Sequence, residues 1–172
     1  GRTQEYLTSY AVEMLVNETN PRRVDLRAKR LGILEEAMKK GPEVKLMYIN
    51  AYAGIANYHK KWYGEMLGLK KFDAIAKKKD FERKFLEITN ANPLYKDKCS
   101  DMFSKFQKLY SEFSPLSKQV DYYSECLMGI DGIRYCLNYV NVFAELKKKQ
   151  AGKENKFDAL LAGVKKTIPF RN

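Results

Sequence analysis

The sequence predicts an all-α protein, an antiparallel bundle of about five to seven helices. Two observations carry that expectation. Between Pro42 and Leu69, the residues Tyr48, Tyr52, Ile55, His59, Trp62 and Met66 recur at alternating steps of four and three. On a helix turning about 100° per residue, this spacing makes one broad aromatic stripe. The composition agrees: 12 Tyr and 9 Phe stand against 10 Gly and 5 Pro in 172 residues, a mix that favours long helices over a turn-rich β architecture.

Opposite the aromatic stripe runs a second one, Leu46, Asn50, Ala53, Asn57 and Gly64. A surface helix needs only one apolar face, so a large face backed by a small one predicts a helix sandwiched between neighbours. The asparagines on the small face either bond between helices or meet a ligand's polar end, since a buried amide has to be paired.

In chain order, residues 1–10 (GRTQEYLTSY) are rich in Thr and Tyr and read as extended, with no partner strand in sight. A short helix over 11–19 would use Val12, Leu15 and Val16. Asn20-Pro21 is a helix-start signal, because Asn caps and Pro fills a position that needs no N–H. The helix from there to about Lys40 turns Val24, Ala28, Leu31, Leu34 and Met38 inward, with Asp25–Lys29 and Glu36–Lys40 as exposed pairs. Gly41-Pro42 makes a turn so short that the two flanking helices pack antiparallel.

Leu69, Phe72 and Ile75, then Phe81, Phe85 and Ile88, continue the helical pattern, either as one helix broken near Lys77–Asp80 or as two. The stretch from Asn90 to Pro93 stops it. Met102, Phe103, Phe106, Leu109, Tyr110 and Phe113 form the next amphipathic helix, closed by Ser114-Pro115. A last long element spans about Leu116 to Lys149, with Gly129 and Gly132 lowering its propensity. Residues 151–155 read as a loop and Lys156 to Val164 as a final helix.

The net charge of +11 raises nucleic-acid binding, but the lysines lie scattered in pairs and triplets, such as Lys60-Lys61 and Lys77 to Lys79, and Arg is rare after Arg30. Such pairs read as solvated helix faces rather than a phosphate-binding cluster. No run approaches the ~18 apolar residues of a membrane span. Cys99, Cys126 and Cys136 form no CxxC pair and read as buried free thiols. The opening at Gly1, without initiator Met or signal peptide, gives the expectation of a mature product or, ahead of it, a piece excised from something longer.

Catalytic chemistry is hard to place. His59 is the single histidine and lies on the aromatic stripe, so it reads as a packing residue. No serine has a GxSxG context, and neither a Walker loop nor GxGxxG occurs. No metal or cofactor is expected.

Two motifs point further. Gly1-Arg2-Thr3 followed by Tyr6-Leu7-Thr8-Ser9 resembles the GRTxRYLTS segment of bacterial dipeptidyl-peptidases of the 7 and 11 type. Tyr52-Ala53-Gly54-Ile55-Ala56-Asn57-Tyr58, ending in Lys60, resembles that family's YAGxxNYWK helix, with His59 where the family has Trp. Likewise Glu5 stands where the family commonly has a basic residue. The resemblance implies a chymotrypsin-type double β-barrel serine peptidase with a helical domain inserted between the barrels. This chain would hold the helical insertion, residues 11–172, behind a remnant barrel strand at 1–10, and the catalytic triad would lie outside it.

The resemblance further implies that Asn57 contacts the α-amino group of a peptide substrate, with Asn50, Lys60 and Lys61 as candidate supporting groups. The implied partners are the peptide N-terminus and the two catalytic barrels of a periplasmic or secreted parent, itself a candidate homodimer, with no membrane contact. The rival reading is a stand-alone basic helical module for a nucleic-acid or protein partner, without catalysis.

Overall fold

The computed structural model describes residues 6–167, and every regular element among them is helical. The chain divides into two compact units, Gly1–Asp121 and Tyr122–Asn172. The first contains α1 (Ser9–Met14), α2 (Asn20–Met38), α3 (Pro42–Lys71), α4 (Ala74–Ala91), α5 (Pro93–Cys99) and all but the last residue of α6 (Met102–Tyr122). The second contains α7 (Asp131–Gln150) and α8 (Phe157–Thr167).

Of the segment expected to be extended, residues 1–5 lie outside the described ones, and 6–8 carry no regular structure. Ser9 and Tyr10 are already helical, because two side chains satisfy the first N–H groups of α1. Thr8 Oγ1 accepts from the Ala11 N–H at 3.3 Å. Glu82 of α4 accepts from the Ser9 N–H at 2.6 Å and from Ser9 Oγ at 2.5 Å. A carboxylate at a helix N-terminus also meets the positive end of the dipole.

α2 begins at Asn20 with Pro21 in its first turn, as expected, but Asn20 does not cap it. Backbone torsions stay helical from α1 into α2 through a π turn over Leu15–Thr19, where the Asn20 N–H reaches back to the Leu15 carbonyl. One extra residue in the turn makes room for the Pro21 ring, which an unmodified α-helix would push against the preceding turn. Asn20 is therefore an interior residue with 0 % exposure, and its Nδ2 donates to Glu65 Oε2 of α3 at 3.0 Å. Val12, Met14 and Val16 from this rod form the buried apolar interior with Leu26 and Leu31 of α2. Ala28, expected inside, is exposed.

α2 and α3 form the expected hairpin across Lys39–Gly41 and pack along their lengths. Lys29 pairs with Asp25 at 2.8 Å, as the spacing predicts. Glu36 instead takes Lys39, at 2.5 Å, because α2 ends at Met38 and Lys40 lies off its surface.

The break after α3 falls at Phe72–Asp73, where Asp73 takes φ 48°, and α4 then runs unbroken through Lys77–Asp80. Its inward face is not the apolar one. Phe81 is 66 % and Ile88 72 % exposed, whereas Glu82 and Thr89 are buried. Glu82 is drawn inward by the two donors of Ser9, which replace the water lost on burial. Thr89 bonds back to the Phe85 and Leu86 carbonyls.

α6 passes straight through Ser114-Pro115, the expected stop. Pro115 is exposed, so the carbonyl that loses its helical donor stays within reach of water. Two contacts fasten α6 within the first unit: Phe103 meets Phe85 edge-on at 6.2 Å, and Asp121 grips two arginines of α2.

In the second unit, a π turn (Tyr123–Leu127) and Met128–Ile130 interrupt the single long element expected there. Gly129 and Gly132 thus accompany a full break rather than a bend. α7 and α8 pack together, Val142 of α7 is buried, and Lys149 Nζ lies 2.8 Å from Asp158 and above the Phe157 ring. The thiols are free; Cys99 and Cys126 are half-buried, while Cys136 is exposed, contrary to the expectation that all are buried.

Candidate functional site

α3 carries every residue of the expected site. Pro42 sits at its first turn, Glu43 there and Lys70 and Lys71 in its last turn complement its dipole, and 30 residues follow one another without interruption. The aromatic stripe faces α2. Tyr48, Tyr52, Ile55, His59, Trp62 and Met66 are all half-buried. Arg27 lies over the Trp62 ring at 4.5 Å and over Tyr58 at 5.0 Å, and Arg23 lies over Trp62 at 5.1 Å. Tyr52 Oη donates to Glu35 at 2.5 Å, and His59 stacks parallel to Tyr63.

The second stripe is not covered. Leu46, Asn50, Ala53, Asn57 and Gly64 are all exposed, so the sandwich that two stripes predict does not exist within this chain. A Cβ added at Gly54 or Gly64 would meet nothing within 4 Å. Asn50 and Asn57 therefore do not bond between helices. Lys60 and Lys61 are exposed beside them, and among the described residues none of the four side chains has a partner. On a helix, Asn50, Asn57 and Lys61 fall within about 40° of one another, and Lys60 stands to one side, about 60° from Asn57.

The arrangement is a polar, cationic helix face rather than a pocket. An amide there offers a carbonyl acceptor and two donors to an incoming group. A hollow of about 500 Å³ elsewhere in the unit is apolar, lined by Leu7, Val12, Leu69, Phe72 and Phe81 among others, and includes none of the four.

Sequence reasoning missed the polar framework behind α3. Arg22 and Arg23 both reach the Asp121 carboxylate, at 2.5 and 2.7 Å, and Arg23 continues onto Trp62. The doublet Arg22-Arg23 was a visible signal, but its partner lies about a hundred positions away. The serines beside carboxylates, Ser9 with Glu82 and Ser114 with Glu18, are caps and cross-links. Neither has the histidine that nucleophilic activation needs, since His59 stands on α3 against Tyr63. Among the described residues no group of three His, Cys, Asp or Glu could hold a metal ion, and no helix is long and apolar enough to cross a membrane.

The family model of Peptidase S46 matches residues 1–166. This chain belongs to that family. It is 41 % identical over 128 residues to an Asp/Glu-specific dipeptidyl-peptidase of Flavobacterium psychrophilum, which covers 74 % of the chain and 18 % of that relative. It is 33 % identical over 156 residues to dipeptidyl-peptidase 7 of Porphyromonas gingivalis, covering 88 % of the chain and 21 % of the relative. The chain thus spans about a fifth of the length of the curated relatives it matches. The motifs at its start and on α3 lie inside the matched stretch of this peptidase family.

Proposed function

We propose that this chain is the α-helical domain that caps the active-site cleft of a serine-type dipeptidyl-peptidase, and that Asn57 accepts a hydrogen bond from the free N-terminus of the peptide. The parent would be a periplasmic or secreted enzyme that releases dipeptides from peptide N-termini by acyl transfer, with its nucleophile and base outside this chain. One observation supports the reading above the rest. The motif asparagine stands unpartnered on an open face, while the aromatic residues of the same motif hold the helix from behind.

The chemistry is suited to the task. An amide oxygen accepts from an ammonium without a buried countercharge, and a polar site left unpaired by an N-blocked peptide discriminates against it. Asn57→Ala in the full-length enzyme is expected to lower kcat/KM for free-amine peptides by roughly 10- to 100-fold, the range of a hydrogen bond to a charged group. Unaltered kinetics would refute the role.

A further inference from the structure

We propose that the outer stripe of α6 is the seat of a further helix, supplied by the part of the parent chain outside residues 1–172. This rests on the reading of the chain as one domain of a longer peptidase, and it is independent of the role given to Asn57.

The stripe is written in the sequence. Met102, Phe106, Leu109, Phe113, Leu116 and Val120 recur at alternating steps of four and three. On a helix they fall within about 80° of one another. A repeat of this kind is the pattern by which one helix offers holes to the side chains of another.

α6 does not use this stripe to hold itself in the first unit. Its inward line runs about 90° round the helix from the stripe. There Phe103 meets Phe85 edge-on, Ser114 Oγ donates to Glu18, Ser117 is buried, and Asp121 holds Arg22 and Arg23. Leu109, Phe113, Leu116 and Val120 meanwhile stand between 51 and 61 % exposed. Phe106, Leu109, Tyr110 and Phe113 line an apolar hollow of about 310 Å³, wide enough to receive a side chain from a facing helix. One exposed apolar side chain is ordinary, but a contiguous patch of them marks an interaction site. With serines and a carboxylate turned inward and large apolar residues turned outward, α6 is the reverse of a helix that is complete at the surface.

The occupant follows from spacing and length. The repeat fits a helix rather than a strand, and at 1.5 Å per residue it extends for about 27 Å, or five turns. The matched relatives are about five times as long as the stretch this chain covers, so the parent has the chain to supply it. The position also has a consequence for the site. Asp121 ties α6 to Arg23, and Arg23 lies over Trp62 of α3. A helix seated on α6 would brace the rod that carries Asn57 and leave the face of Asn57 open.

The test makes one pair of substitutions in two settings, the 172-residue chain and the full-length enzyme. Leu109→Gln with Phe113→Gln removes apolar surface and keeps helix propensity. In the 172-residue chain the thermal midpoint is expected to stay within about 2 °C of wild type, because both side chains are already exposed. In the full-length enzyme the same pair is expected to lower the midpoint of this domain's transition by about 5 °C, as two side chains lose a packed neighbour. Leu109→Met with Phe113→Leu keeps the stripe apolar and is expected to recover most of that loss. An equal loss in both settings means that residues within this chain cover the stripe, and it overturns the inference. No loss in either setting overturns it too. Sedimentation supplies the remaining arm: a wild-type dimer of the 172-residue chain that the Gln pair dissociates would make a second copy the occupant. Asn57→Ala keeps the two readings apart. Unaltered kinetics with the midpoint difference intact would remove the amine anchor and leave the seat on α6, and the opposite pair of results would do the reverse.

Discussion

The two faces of α3 use one helix in opposite ways. On the α2 side several polar groups are matched inside the chain: Tyr52 has Glu35, Glu65 has the amide N–H of Asn20, and Trp62 and Tyr58 have arginines above their rings, although Asn20 Oδ1 is buried without a partner among the described residues. On the other side, Asn50, Asn57, Lys60 and Lys61 have no partner among the described residues. Buried polar groups have to be paired within the fold, whereas exposed ones are served by water and stay available for the role proposed for Asn57. Residues of the covered face should move stability, and those of the open face should move function.

The largest effect is expected behind the covered face. Asp121→Ala leaves Arg22 and Arg23 in a mostly buried place without their shared counterion, and removing one partner of such a pair costs about 3 kcal/mol. Denaturant unfolding of the chain should show the loss as a lower midpoint with an unchanged slope. A smaller loss, about 2 kcal/mol, is expected for Trp62→Ala, below the cost of a fully buried Trp because the residue is half-exposed. If either variant unfolds at the wild-type midpoint, the division between the two faces is wrong.

The covered face was legible in the sequence because helical periodicity reports which residues share a side, and Tyr48, Tyr52, Ile55, His59, Trp62 and Met66 do share one. What periodicity does not report is whether a second side finds a partner within the same chain. That is why the stripe through Ala53 and Asn57 reads as buried and stands open. The cap expected at Asn20 and the stop expected at Pro115 misled for a related reason. Proline rules are local, whereas the π turn at Leu15–Thr19 and the exposure of Pro115 depend on how each rod is seated. On α4 the inward residues are Glu82 and Thr89 rather than Phe81 and Ile88, because the donors that hold Glu82 come from Ser9, 73 positions earlier. The site motif itself was visible; the exposure that makes Asn57 available was not.

The open face offers a test of opposite sign. Gly54 lies mid-helix, exposed, with empty space where a Cβ would go. Gly54→Ala should therefore stabilise this chain, by about 0.5–1 kcal/mol, since Ala loses less backbone entropy in a helix and nothing nearby has to shift. A thermal or denaturant midpoint that rises confirms the free face. A fall would mean that something in the folded chain already approaches it.

The smallest effect concerns the edge where the two helices are tied together. The hydrogen bond that the Tyr52 phenol donates to Glu35 raises its pKa above the usual value of 10.0, with burial and the Glu35 charge acting in the same direction. Deprotonation would turn the donor into a second anion beside the carboxylate. A raised folded-state pKa means that this link is fully present below the unfolded value and is lost as the pH climbs through the higher folded one. The stability of the α2–α3 hairpin should accordingly show a small alkaline decline above pH 10, and none from this source at neutral pH. Tyr52→Phe removes that component, and phenolate absorbance should lose one late-titrating group relative to the parent chain. If the late group persists in the variant, the phenol at position 52 is not the one held by Glu35, and the tie across the covered face has been misassigned.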